Sequence, residues 1–154
     1  MNRLALLAAS AMTLAVCTIT PATAAAPPAD TAETVTSCGN SGLQAGLATR
    51  VCAEITGTTV TFYGKAGLVG PPSPPAPGSP QPAARELLTT LSVEAVAGAA
   101  LSTQVKPLLF TAATLEVRAP AATAPCGSTV RGTFGVASYP RAASPVAHEV
   151  TLTC

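Results

Sequence analysis

The sequence predicts an all-β protein, an antiparallel sandwich of immunoglobulin-like size with about seven to eight strands. Three observations predict this fold. Apolar and polar residues alternate with a period of two in several short segments, in which threonine and valine are prominent. Breaks rich in glycine, proline and alanine separate these segments at spacings of about ten residues. Four of the five cysteines lie beyond the first 24 residues, where they can form two disulfides.

The first 24 residues have the three parts of a secretory signal peptide. Arg3 supplies a positive charge, an apolar run follows over residues 4–19, and Ala22-Thr23-Ala24 is an A-x-A cleavage site. The run is too short to span a membrane as a helix. We therefore expect a secreted, extracellular protein without a membrane span, cleaved after Ala24, with a flexible N-terminal arm over residues 25–33.

An alternative start of the exported chain is a lipid anchor. The stretch from Leu14 to Cys17 is similar to a bacterial lipobox, which would place the lipid on Cys17. That motif has a small residue just before the cysteine, and Val16 is not small. Secretion after cleavage at Ala24 is the favoured prediction.

The exported chain is neutral and has the length of one domain. Removing 24 of the 154 residues leaves 130, which suits a single sandwich domain over residues 34–154. One of the eight basic residues, Arg3, is removed, so seven basic residues face seven acidic ones. They are scattered without runs, whereas a nucleic-acid-binding surface needs a basic patch. The sequence therefore predicts no nucleic-acid partner.

A proline-rich tract from Gly70 to Ala83 holds seven prolines near the middle of the chain. The exported segment before it, about 45 residues, is too short to bury a core of its own. We therefore predict that residues 70–83 form a long loop within one domain, in extended polyproline form. The alternative is an interdomain linker, because each half of the chain would close its own disulfide.

Four cysteines remain after export, Cys38, Cys52, Cys126 and Cys154. They permit three pairings, and the flanking patterns favour one of them. A hairpin folded about Pro140 places Cys126 opposite Cys154, while Cys38 and Cys52 mirror each other about Ala45. We predict these two disulfides. Structural zinc requires closely spaced ligand pairs, which these cysteines do not form.

Alternation assigns each segment an inner and an outer face. In the hairpin about Pro140, Val130 is expected opposite Val150 and Phe134 opposite Val146. The residues predicted to face the core are Val60, Phe62, Leu87, Leu91, Val93, Ala95, Leu115, Val117, Phe134, Val146, His148, Val150 and Leu152. Tyr63 is predicted to face outward, and so are the glutamates Glu54, Glu94, Glu116 and Glu149, as surface charges.

The sequence lacks a catalytic constellation. His148 is the single histidine, and its inward position favours a partly buried residue with one hydrogen bond over a general base. The single aspartate, Asp30, lies in the N-terminal arm, which argues against a Ser-His-Asp triad and leaves a glutamate as the alternative group to orient His148. We therefore predict that the protein is not an enzyme and uses no cofactor or metal.

The predicted function is a non-catalytic binding or structural role outside the cell, with an extracellular protein or a cell-wall component as partner. The candidate interaction residues are Arg50, Tyr63 and Tyr139. One alternative is a protease inhibitor whose exposed loop, Gly46–Cys52, presents Arg50. Another is a weak carbohydrate-binding module, because outward tyrosines can stack on sugars. The sequence leaves the ligand and the oligomeric state open.

The alanine-, proline- and threonine-rich composition, the signal peptide and the two-disulfide β layout resemble those of small exported proteins of high-GC actinobacteria. The enediyne-binding apoproteins of that group are similar in size and class. Their cysteine spacing and ligand-cleft pattern are absent from this sequence, so no residue is carried over from them.

Overall fold

The structure is a computed structural model that describes residues 33–70, 84–96, 98, 100–111 and 114–154. The predicted signal peptide, nearly all of the predicted N-terminal arm, and residues 71–83 of the proline-rich tract lie outside the described residues. The predictions for these segments stay predictions.

The described residues form ten β-strands and no helix, which confirms the all-β fold class. The strands are β1 (Thr34–Cys38), β2 (Gly42–Gln44), β3 (Leu47–Thr56), β4 (Thr59–Gly67), β5 (Arg85–Ala95), β6 (Ala100–Phe110), β7 (Thr114–Arg118), β8 (Ala122–Thr123), β9 (Thr129–Ala137) and β10 (Val146–Thr151). The predicted number was seven to eight. The difference arises because β1 and β2 both pair with β3, and β7 and β8 both pair with β4, so two edge strands are each interrupted.

Two antiparallel sheets make up the sandwich. Sheet A has the order β1-β3-β4-β7, with β2 also beside β3 and β8 beside β4, and sheet B has the order β10-β9-β5-β6. Strands β4 and β7, which precede and follow the proline-rich tract, pair directly with each other. The sandwich architecture is confirmed, and a specifically immunoglobulin-like order of strands stays a prediction.

The core lies between the two sheets and is built around two phenylalanines. Phe62 on β4 packs against Gly132 on β9, and Phe134 on β9 packs against Gly64 on β4. A Cβ added at either glycine would run into the facing ring, so each ring occupies space that only glycine leaves free. Most of the predicted core residues are buried around this pair, and Leu115 and Val146 are partly buried against it.

A buried glutamine links the sheets. The side-chain nitrogen of Gln44 on β2 donates to Thr49 Oγ1 at 2.8 Å and to the carbonyl oxygen of Phe134 at 3.1 Å. Its side-chain oxygen accepts a hydrogen bond from the backbone nitrogen of Val136 at 2.9 Å. These bonds satisfy a polar group that would otherwise be costly to bury. The sequence pattern did not predict this contact.

Both predicted disulfides are confirmed. Cys38 and Cys52 are cross-strand partners on β1 and β3, and the β2–β3 turn at Ala45 and Gly46 has positive φ at both residues. Cys126 and Cys154 are joined beyond the ends of β9 and β10. The register between β9 and β10 is also the predicted one, with Val130 opposite Val150 and Phe134 opposite Val146.

Candidate functional site

An ion-pair network centred on Arg118 covers part of the outer face of sheet A. The terminal guanidinium nitrogens of Arg118 donate to the two carboxylate oxygens of Glu54 at 2.8 and 2.9 Å. Its Nε donates to Glu116 at 2.7 Å. The hydrogen bond from Arg118 is the main cause that lowers the pKa of Glu54 below its ordinary value, and the same pairs raise the pKa of Arg118. Arg118 is thus the principal partner of both carboxylates.

Tyr63 lies beneath this network. Its ring is on the outer face of sheet A, as predicted, but the residue is only 5% exposed. The guanidinium of Arg118 lies 4.6 Å from the ring centroid, and Lys65 Nζ lies 5.0 Å from it. The expectation that Tyr63 is accessible for stacking is therefore wrong, because two cations occupy the ring face that a sugar would contact.

Arg50 is exposed on the same outer face, but it does not lie on a loop. Residues 47–52 belong to β3, which pairs with β1 and β2 on one side and with β4 on the other. Their backbone hydrogen bonds are used within the sheet, so Gly46–Cys52 cannot enter a protease cleft as an extended loop. That location for an inhibitory loop is wrong. The Nε of Arg50 donates to Ser41 Oγ at 3.0 Å.

Tyr139 lies in the turn between β9 and β10 and is 99% exposed. It borders a groove of about 980 Å³ whose lining includes Leu88 and Leu109. The strand register places Leu88, Val105 and Leu109 on the outer face of sheet B, where each is between 48% and 57% exposed. We call Leu88, Val105, Leu109 and Tyr139 the sheet B patch. Tyr139 was predicted from the sequence as an interaction residue, but its grouping with the other three was not, because the register of β5 with β6 decides which outward residues are neighbours.

His148 occupies the edge where β10 approaches β1. Its Nε2 lies 2.9 Å from Ser37 Oγ, in a hydrogen bond, and the side chain is partly buried. Burial lowers the pKa of His148 below its ordinary value of 6.5. Within the described part of the chain, no three histidine, cysteine or acidic residues group together as a metal site would require.

We expect the stability of the protein to fall as the pH drops below the ordinary histidine pKa. Because the pKa of His148 is lowered in the folded state, the unfolded chain binds the proton first, so unfolding becomes easier from pH 6.5 downward to the folded pKa. The variant His148→Gln should lose this part of the pH dependence. Urea unfolding of both proteins between about pH 8 and pH 5 measures it. Identical pH profiles would contradict the prediction.

Two further observations bear on the compartment. Two disulfides within the chain fit an extracellular, oxidising environment. The described residues contain no helix that is long and apolar enough to cross a membrane.

Comparisons with known proteins identify no family for this chain. No family model matches the sequence, and no curated protein matches it. Among solved structures, the crystal structure of Bacteroides uniformis β-glucuronidase is similar, with a TM-score of 0.43 and 12% sequence identity. The match covers 77% of this chain and only 13% of that one, so the chain spans a small fraction of the length of that enzyme.

Proposed function

We propose that this is an exported, non-catalytic binding protein that docks an extracellular protein through the sheet B patch. The observation that carries the proposal is the grouping of Leu88, Val105 and Leu109 on the outer face of sheet B, with Tyr139 in the β9–β10 turn beside the same groove, all about half exposed or more. Contiguous exposed apolar groups are costly in water, and on soluble proteins they mark interaction surfaces.

The chemistry of the patch suits a protein partner. Tyrosine is enriched among the residues that dominate the energy of protein interfaces, because a rigid ring buries much area at a low entropic cost. Tyr139 stands beside the groove, where a partner can desolvate the ring and the two leucines together. The ion pairs of Arg131 with Glu94 and Glu149 lie farther along the same sheet, beyond the patch.

The proposal of a non-catalytic role is supported by how the ionisable groups are used. Glu54 and Glu116 form ion pairs with Arg118, and Glu94 and Glu149 form ion pairs with Arg131. The side chain of His148 is hydrogen-bonded to Ser37. Among the described contacts, no glutamate or aspartate is hydrogen-bonded to the imidazole. These arrangements are those of surface ion pairs and a structural histidine, in which an arginine engages each of the four carboxylates and a serine engages the imidazole.

A carbohydrate-binding role has less support. All five aromatic residues lie in the described part of the chain, and Tyr139 is the only one of them that is exposed. A flat sugar-binding platform usually needs more than one stacked ring.

The test is binding of extracellular proteins and cell-wall fragments from the producing cells to the immobilised protein and its variants. We expect Leu88→Lys and Tyr139→Ala each to weaken binding of a captured protein at least tenfold, the size of a hot-spot loss. The control is Leu68→Lys, which makes the same change at a leucine outside the patch that is 45% exposed, against 48% for Leu88. Equal capture by all three variants would contradict the proposal, and so would capture of cell-wall polymer alone.

Sedimentation of the purified protein separates a foreign partner from a second copy. We expect a monomer at micromolar concentration, because the patch is proposed to serve another protein. A dimer that Leu88→Lys dissociates, but Leu68→Lys does not, would assign the patch to self-association and overturn the proposed partner.

A further inference from the structure

Two cations stand directly opposite each other on the outer face of sheet A. Arg50 on β3 and Lys65 on β4 are cross-strand partners. Like charges in this position repel each other and destabilise a sheet unless an anion lies between them. The two carboxylates on the same face, Glu54 and Glu116, are both held by Arg118. Lys65 reaches Glu116 only at 3.8 Å, and Arg50 has no carboxylate partner among the described residues.

The space beside these cations is a depression of about 540 Å³. Its lining includes Ala48 and Gly67, which are cross-strand partners with small side chains. Arg50 and Ser41 stand on one side, and Lys65 and Thr114 line it as well. Arg50 and Lys65 lie two residues farther along the same two strands, so a small group above Ala48 and Gly67 would have both cations beside it.

The guanidinium of Arg50 is oriented for such a group. Its Nε donates to Ser41 Oγ at 3.0 Å, and this hydrogen bond restrains the plane of the guanidinium group. The two terminal nitrogens make no hydrogen bond to the described residues, so they can donate in parallel to two oxygens of one group. A planar carboxylate matches that geometry, and Lys65 adds a point charge.

We propose that the Arg50–Lys65 depression binds a carboxylate-bearing organic ligand. Leu43 is exposed and lies opposite Ala48 on the same face, so it offers an apolar contact to the body of the ligand. Glu116 also lines the depression, and its negative charge favours a single carboxylate over a multiply charged phosphate. The site is on the opposite sheet from the sheet B patch and goes beyond the proposed function.

The carboxylate can come from a peptide C-terminus or from an acidic sugar, and paired probes distinguish these sources. Amide proton spectra of the isotope-labelled protein are recorded during titration with acetyl-alanyl-alanine and its C-terminal amide, and with galacturonate and galactose. We expect saturable shifts of the backbone amides of Ala48, Arg50 and Gly67 with at least one carboxylate, and at least tenfold weaker binding of its neutral counterpart. Binding should weaken as the salt concentration rises, because the charges are exposed.

The variants Arg50→Gln and Lys65→Gln should each weaken carboxylate binding at least tenfold. Lys106→Gln is the matched control, since it removes the same charge from an exposed strand position on sheet B. Any one of three results would overturn the proposed site. They are equal binding of the carboxylate and neutral probes, equal binding by all three variants, and no saturable shift with either carboxylate. Capture through the sheet B patch is measured separately, so failure of one proposal is distinguishable from failure of the other.

Discussion

Gly132→Ala should lower the free energy of unfolding by about 3 kcal/mol, the upper range for overpacking a core. The added methyl group would overlap the ring of Phe62 in the middle of the sandwich. Strand β9 is hydrogen-bonded on both sides, to β10 and β5, so it cannot move outward without breaking a ladder. Urea unfolding followed by far-ultraviolet circular dichroism measures the change. Gly64→Ala should behave similarly, because Phe134 occupies the equivalent space.

The control is Gly98→Ala, which adds the same methyl group where the nearest atom lies 3.8 Å away. It should change stability by about 0.5 kcal/mol or less, as surface substitutions usually do. The double variant Gly132→Ala with Phe62→Leu should lose less stability than the two single variants together, because the smaller side chain makes room for the methyl group. Strict additivity would show that the two residues do not compete for one space.

Removing the Cys126–Cys154 disulfide should cost about 3.6 kcal/mol, by the loop-entropy model for its sequence separation of 28. The double variant Cys126→Ser with Cys154→Ser frees the C-terminal end of β10, whose partner β9 carries Phe134 and Val130 into the core. For the Cys38–Cys52 disulfide, with a separation of 14, the same model gives about 3 kcal/mol. Equilibrium unfolding of the two double-serine proteins compares these values.

The order of reduction gives a second measurement on the same bonds. In the Cys38–Cys52 disulfide Cys38 is exposed and Cys52 is buried, whereas Cys126 and Cys154 are both exposed. We expect a limiting amount of reductant to open Cys126–Cys154 first, because thiol attack requires access to a sulfur. Mass spectrometry after alkylation identifies the first bond opened. Opening of Cys38–Cys52 first would show that local unfolding of β1, rather than static exposure, controls the reaction.

Local pattern was sufficient for the strand faces and the disulfide pairs. The register of β9 with β10 and the meeting of Cys126 with Cys154 follow from counting residues on either side of Pro140. Cys38 and Cys52 follow from the same construction about the glycine-rich connection. These features depend on period-two alternation and on a hairpin, which involve only residues near each other in the chain.

The candidate sites could be predicted only in part. Tyr63 was correctly placed on the outer face, but its burial depends on Arg118, 55 positions away in the sequence, and on the pairing of β4 with β7. Arg50 is exposed, as the sequence predicted, yet the segment around it is a central strand of sheet A rather than a loop. Period-two alternation gives the side of a sheet that a residue occupies, and it does not give the residue's neighbours on that side.

The sequence by itself thus determined the all-β class, the alternation of inner and outer residues and both disulfides, because each of these is encoded in local spacing. The tertiary structure decided which strands share a sheet and which surface residues are neighbours. It also decided that Phe62 and Phe134 each pack against a glycine of the facing sheet. The sheet B patch and the Arg50–Lys65 pair belong to this second group. Their members come from strands that meet only when the two sheets are assembled, and burial, charge pairing and exposure are properties of that assembly.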